Sequence, residues 1–72
     1  MKTTVQNDFV CVDATIHYRV ASGRVLVAGP KCQLTRPGDV VAFFAGDSMQ
    51  MLDAGRLFRL VRESDLATIS TA

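Results

Sequence analysis

The sequence is poor in the residues that build metal and cofactor sites. Its 72 residues contain no tryptophan, two cysteines and a single histidine. His17, Cys11 and Cys32 cannot complete a zinc site unless carboxylates or another subunit contribute, and the cysteines form no C-x-x-C pair. We therefore expect no metal, no cofactor and no small-molecule substrate. Both cysteines are interpreted as small buried hydrophobes or idle thiols, with a disulfide between them as the alternative.

Catalytic motifs are missing as well. The sequence has no Ser/His/Asp or Cys/His constellation and no glycine-rich phosphate loop that opens a helix. Asp47, Asp53 and Asp65 fall at turn positions, where aspartate commonly bonds to the local backbone. We predict that the protein is not an enzyme.

Long apolar runs and a strong excess of charge are also absent. No apolar run approaches the about 20 residues that span a bilayer, and the first eight residues have no apolar signal core. The net charge is +1, although the basic residues fall mainly in the first half and the acidic ones in the second. We interpret this asymmetry as a solvated surface, with a basic-to-acidic contact between neighbouring copies as the alternative.

These absences set expectations for partners and location. Phe43, Phe44 and Phe58 lie in apolar strand patterns rather than beside basic residues, so they do not predict a surface for stacking bases. We expect no nucleic-acid partner and no membrane. The protein is expected to be soluble and intracellular in origin, in the cytoplasm, or in a virion if it is a capsid component.

Alternation of apolar and polar residues is the main structural signal in the sequence. From Val10 to Val20 the even positions are apolar or aromatic, which indicates one long strand, or two strands joined near Asp13 to Thr15, with one face buried. This pattern predicts that Ile16, Tyr18 and Val20 face the core. Further short strands are predicted over Arg24–Ala28, Val40–Phe44, Met49–Leu52, Leu57–Arg62 and Leu66–Ile69.

Turn residues separate the predicted strands. Ala21-Ser22-Gly23, Pro37-Gly38 and Ala54-Gly55 are each interpreted as turns, and Glu63-Ser64-Asp65 as a polar turn or one turn of 3₁₀ helix. Six or so short strands without a helical period predict one all-β domain over residues 1–72, a small closed or nearly closed β-barrel. Its predicted core includes Val10, Val12, Leu26, Val40, Phe43, Leu60 and Val61.

Three segments resemble the GroES-type co-chaperonin family. They are Ser22 to Gly29, Thr35 to Phe43 with its Gly-Asp-Val-Val-Ala-Phe sequence, and Phe58 to Ile69 with its Glu-Ser-Asp-Leu sequence. The resemblance covers most of the chain and implies a GroES-like barrel. In that fold the N-terminal strand of one subunit pairs with the C-terminal strand of the next. The resemblance therefore implies contacts between copies at Thr3, Thr4, Val5, Phe9, Leu66, Thr68, Ile69 and Thr71.

The two functional segments that family members carry beyond the barrel are missing from this sequence. The mobile loop that docks onto the chaperonin would lie between Val12 and Gly23, and the roof hairpin between Gly29 and Pro37, yet both connections are short. The first hypothesis is therefore a structural protein that oligomerises or decorates a larger shell, for example a capsid cement protein. The alternative is a minimal co-chaperonin-like cap that assists folding with a chaperonin ring.

Overall fold

The computed structural model describes residues 4–71 and consists of six strands in one antiparallel sheet. The strands are β1 (Phe9–His17), β2 (Val20–Ala28), β3 (Val40–Phe44), β4 (Ser48–Asp53), β5 (Arg56–Arg62) and β6 (Leu66–Ser70). Short 3₁₀ turns at Ala45–Asp47 and Glu63–Asp65 precede β4 and β6. The prediction of a small all-β barrel-like domain is confirmed.

The strand order places β4 and β6 at the two ends of the sheet. The order is β4-β5-β1-β2-β3-β6, so the chain returns to the far side of β1 after it completes β3. Among the described residues, β4 pairs only with β5, and β6 pairs only with β3. Within residues 4–71, the sheet therefore has two strand edges without a neighbouring strand.

The main core lies on the inner face of the curved sheet. Alternate residues of a strand point to opposite faces, so Val10 and Val12 of β1 face inward together with Val41 and Phe43 of β3. We call this set the inner cluster; its buried members are Val10, Val12, Ala21, Val25, Val41, Phe43 and Val61.

A second, smaller apolar cluster covers part of the outer face. Cys11 lies between two inward-facing valines and therefore points outward, where it packs with Phe58 and with Val5 from the segment before β1. Leu60 and Met51 pack against the edge of this set, which we call the outer cluster. The N-terminal segment thus lets this small sheet bury side chains on both faces.

The two glycine turns formed where the sequence predicted them. Gly38 has a φ of 97°, and the Asp39 N–H donates a hydrogen bond of 3.1 Å to the Arg36 carbonyl. Ala54 and Gly55 have φ values of 52° and 78°, as a two-residue hairpin turn with positive φ at both central positions requires. The 3₁₀ turn at Glu63–Asp65 is also confirmed.

The turn predicted at Ala21-Ser22-Gly23 is wrong, because these residues lie within β2. The hairpin turns instead at Tyr18-Arg19, where Tyr18 has a φ of 59°. Gly23 is required for another reason: a Cβ at that position would lie 2.0 Å from the Asp13 carbonyl oxygen of the neighbouring strand. Gly23 permits the close approach of β2 to β1, whereas the sequence analysis interpreted it as a turn residue.

Part of the predicted core also differs from the structure. Val10, Val12, Phe43 and Val61 are buried as predicted, and Leu26 and Leu60 are partly buried against the outer cluster. Val40 is exposed because Val41 and Phe43 occupy the inward positions of β3. Ile16, Tyr18 and Val20 are exposed as well. Val20 precedes the inward-facing Ala21 and therefore faces outward, and Tyr18 lies in the turn. Ile16 lies opposite Ala21 but remains 45% exposed near the end of the hairpin.

Candidate protein interfaces

The β6 edge has an uncharged sequence. From Leu66 to Thr71 there is no charged residue and no proline, and threonine and isoleucine favour extended structure. Exposed edges are normally protected by charges, prolines or a covering element, because their free N–H and C=O groups can pair with another chain. Within the described residues, the one feature that protects this edge is a register shift in the pairing of β6 with β3, between Ala42 and Phe43.

The side chains of β6 divide between the core and the surface. Leu66 and Ile69 are half-buried and pack against the inner cluster. Thr68 and Thr71 are exposed. The edge is therefore held in place by two apolar side chains and presents small hydroxyl-bearing residues to solvent.

The N-terminal residues predicted to contact another copy lie away from β6. Thr3 lies outside the described residues, Thr4 is exposed, and Val5 is only 8% exposed because it packs within its own chain. Phe9 opens β1, which β2 and β3 separate from β6. Among residues 4–71, no strand pairing joins the two predicted groups within one chain, so a pairing of their described members requires two copies.

The β4 edge differs from the β6 edge because apolar side chains flank it. Met49 is 57% exposed and Leu52 is also exposed, while Met51 is half-buried against the outer cluster. An open cavity of about 370 Å³ lies beside this strand. The cavity is lined by Thr4, Val5, Gln6, Asn7, Phe9, Met51 and Leu60.

A carboxylate fixes the loop that joins β2 to β3 next to the start of β6. Glu63 accepts hydrogen bonds from the N–H groups of Gln33, Leu34 and Thr35 at 3.0, 3.0 and 2.8 Å. The Thr35 hydroxyl donates a further hydrogen bond to the same carboxylate. These four bonds attach a loop without regular secondary structure to the turn from which β6 begins.

The surroundings of Glu63 favour its charged form. Removal from water raises the pKa of this carboxyl, but the hydrogen bonds from the Thr35 hydroxyl and from the three backbone N–H groups outweigh that effect. The pKa of Glu63 therefore lies below its ordinary value of 4.5. The attachment of the loop is intact at neutral pH and sensitive to acid.

Exposed aromatic residues were missed by the sequence analysis. Tyr18, at the tip of the β1–β2 hairpin, is 89% exposed, and Phe44, opposite Val20, is 57% exposed. Phe44 belongs to the predicted apolar strand pattern, but it follows the inward-facing Phe43 directly and so faces outward. Phe43 and Phe58 are buried as expected.

The two cysteines are free and have the character of structural thiols. Burial raises the pKa of the Cys11 thiol, and Asp53 and Asp13 raise it further. Burial and Glu63 likewise raise the pKa of Cys32. A thiol is a good nucleophile only as a thiolate, so these shifts disfavour reactivity at neutral pH.

The comparisons with known proteins do not assign the chain to a family. No protein-family model matches the chain, and no curated protein matches it. Within residues 4–71 no three histidine, cysteine or acidic side chains lie together in a way that could hold a metal ion. The same part of the chain has no helix long and apolar enough to cross a membrane.

Proposed function

We propose that the protein is a non-catalytic structural or assembly protein, a minimal GroES-like barrel that oligomerises or decorates a larger protein shell such as a viral capsid. The observation that supports this proposal is the free, uncharged edge of β6. A second strand that adds to this edge gains backbone hydrogen bonds without facing a buried charge. The family resemblance suggests the occupant, namely the N-terminal segment of the next copy.

The conformation of the N-terminal segment determines which of its residues can form this contact. Within its own chain the stretch Thr4–Gln6 has no regular secondary structure, and a turn at Asn7-Asp8 separates it from β1. The Gln6 carbonyl already accepts a hydrogen bond of 3.2 Å from the Phe9 N–H, so among the described residues the backbone groups left for a neighbouring strand are those of Thr4 and Val5, even though the Val5 side chain packs inside its own domain. In this arrangement Thr4 and the exposed Thr68 and Thr71 contact the neighbouring copy, and Leu66 and Ile69 support the edge from beneath.

One observation favours the alternative function, a minimal cap on a chaperonin ring. The β1–β2 hairpin occupies the place of the family's mobile loop, and its residues Ile16, Tyr18 and Val20 are exposed. Such a tip offers apolar side chains to a partner. Its turn has only two residues, however, so the hairpin lacks the reach of a flexible loop.

A threonine-to-lysine pair of variants tests the role of β6. Thr68→Lys places a charge on the free edge, whereas Thr15→Lys places the same charge on an exposed position of β1, which β2 and β3 separate from β6 in the sheet. Sedimentation velocity should show association for the parent and for T15K, and monomers for T68K. Thermal melts should show that both variants remain folded, because both threonines are exposed.

Two outcomes would count against the proposal. If T68K associates as the parent does, β6 is not the interface between copies. If the parent is monomeric and does not attach to a capsid or another shell offered to it, the assembly function itself is wrong. Deletion of Leu66–Ala72 is a less specific test, because it also removes two side chains that pack on the inner cluster.

A further inference from the structure

The free edge of β4 and the cavity beside it form one continuous surface. We define the β4 groove as the edge of β4 with Met49, Met51, Leu60, Phe9 and Val5. Met51, Leu60, Phe9 and Val5 line the cavity, and Met49 lies opposite Leu60 in the sheet. We propose that the β4 groove binds an extended segment of a partner protein, with apolar side chains at alternate positions and basic residues at its ends.

The backbone of β4 supplies the first part of this site. In an antiparallel ladder only alternate residues of an edge strand direct their N–H and C=O groups to the paired strand. Within the described residues no backbone hydrogen bond reaches the outer edge of β4 between Met49 and Asp53. An added strand can therefore form main-chain hydrogen bonds along this edge.

The side chains of the groove supply the second part. Met49 and Met51 are two residues apart, so they lie on the same face of the sheet, and both are accessible in part. An added strand places every second side chain on this face, where the cavity of about 370 Å³ falls within the range of small ligand pockets. Methionine side chains adapt to differently shaped apolar partners, which suits a pocket for leucine or valine side chains.

The charged residues at the ends of β4 indicate which charges a strand bound to the β4 groove should carry. Asp47 precedes β4 and Asp53 ends it. Arg56 lies opposite Asp53 in the β4–β5 pairing but forms its ion pair with Asp13, and the Arg59 guanidinium donates hydrogen bonds to the Ser48 hydroxyl and the Ala45 carbonyl. The ion pairs of the described residues therefore include neither of the two flanking aspartates. Carboxylates at both ends of a neutral strand favour an occupant with a lysine or arginine at each end.

The same charges disfavour β6 of a second copy as the occupant. The turn before β6 contains Glu63 and Asp65, which would approach Asp47 or Asp53 in either strand direction. The β4 groove is thus a site for a different protein, and it lies at the opposite end of the sheet from β6. This inference goes beyond the proposed function, since it does not depend on self-association.

A labelled peptide provides the direct test. The probe is an eight-residue peptide with lysine at both ends and alternating leucine and threonine between them, followed by fluorescence polarisation. A peptide with the same sequence and N-methyl groups on alternate residues is the control, because it has the same side chains but cannot complete the ladder. We expect saturable binding of the first peptide and a loss of about tenfold or more in affinity for the second.

Variants of the protein locate the site. Met49→Lys adds a repelling charge at the edge and should weaken binding about tenfold or more, whereas Leu34→Lys, at an exposed leucine in the β2–β3 loop, should not. Thr68→Lys should bind the peptide normally even if it no longer self-associates. Amide NMR shifts on titration should concentrate on β4 and the cavity.

Several results would overturn the inference. They are an absence of saturable binding, equal affinity for the N-methylated peptide, equal affinity of M49K and the parent, or shifts confined to β6. Loss of binding in T68K would also contradict it, since the peptide would then occupy the self-association edge. None of these results would show that the protein does not assemble through β6, so the two proposals fail independently.

Discussion

Two adjacent phenylalanines in β3 provide a sensitive test of the barrel interior. Phe43 is 1% exposed and belongs to the inner cluster, whereas its neighbour Phe44 is 57% exposed. Truncation of a buried phenylalanine to alanine costs about 3–5 kcal/mol through lost burial and the remaining cavity. The same truncation at an exposed strand position costs about 1 kcal/mol or less.

The size of the domain makes this difference easy to measure. A stability of about 0.05–0.15 kcal/mol per residue gives the 72-residue chain about 4–11 kcal/mol in total. Phe43→Ala should therefore remove about a quarter or more of the free energy of unfolding, and it should unfold a parent of low stability. Phe44→Ala should leave most of the stability in place.

Urea denaturation followed by circular dichroism is the assay. With a slope of about 1 kcal/mol per molar urea, F43A should lower the midpoint by about 3 M or more, and F44A by about 1 M or less. Equal shifts, or a larger shift for F44A, would refute the assignment of faces in β3. A register error of one residue in this strand would also turn Val41 away from the core.

Three further predictions concern Glu63, Gly23 and the β1–β2 hairpin. The pKa of Glu63 is lowered in the folded state, so its stabilising effect is complete above its ordinary pKa of 4.5 and is lost as the pH falls through the lower folded value. Melts across this range should show a steeper acid loss for the parent than for Glu63→Gln; equal slopes would contradict the prediction. Gly23→Ala should lower the free energy of unfolding by about 1–3 kcal/mol, because the added Cβ meets the Asp13 backbone. Gly46→Ala is the control and should melt near the parent temperature, since open space surrounds that position. Similar melting temperatures for the two variants would show that the strands approach less closely. The short hairpin should not support capping of a GroEL-type ring, and nucleotide-dependent co-migration on size exclusion would instead favour the co-chaperonin function.

The strand pattern was predictable from the sequence because its signals are local. Pro37 has a fixed φ, and Gly38 and Gly55 adopt positive φ without a steric cost, so these residues positioned two turns. The Tyr18-Arg19 turn carries no such signal. Its location follows from the pairing of β1 with β2, and that pairing depends on contacts between distant residues.

The faces of the sheet were harder to predict than the strands. Alternation shows which residues share a face, but it does not show how far the covering layer extends along a strand. Ile16 continues the alternation of Val10 and Val12 and lies opposite the buried Ala21, and it is still 45% exposed. Cys11 and Phe58 are buried on the opposite face because the N-terminal segment covers them, which no periodicity in their own strands indicates.

The two candidate interfaces differ in how far the sequence alone predicts them. The sequence alone shows that β6 is uncharged, and the resemblance to the GroES-type family predicted contacts between copies at this strand. That β4 is also an edge depends on the strand order, and the cavity beside it depends on the path of the N-terminal segment. Neither property is encoded in the local pattern of Met49 to Leu52.

The return of β5 to β1 governs how this chain reaches its folded state. The β1–β2 and β4–β5 hairpins join neighbouring segments, and such hairpins form in about 1–10 μs. Pairing of β5 with β1 instead brings together residues as distant as Asp8 and Arg62, 54 positions apart. Closing a loop of that size has a large entropic cost before any contact compensates for it. Folding is therefore expected on the millisecond-to-second scale of non-local β topologies.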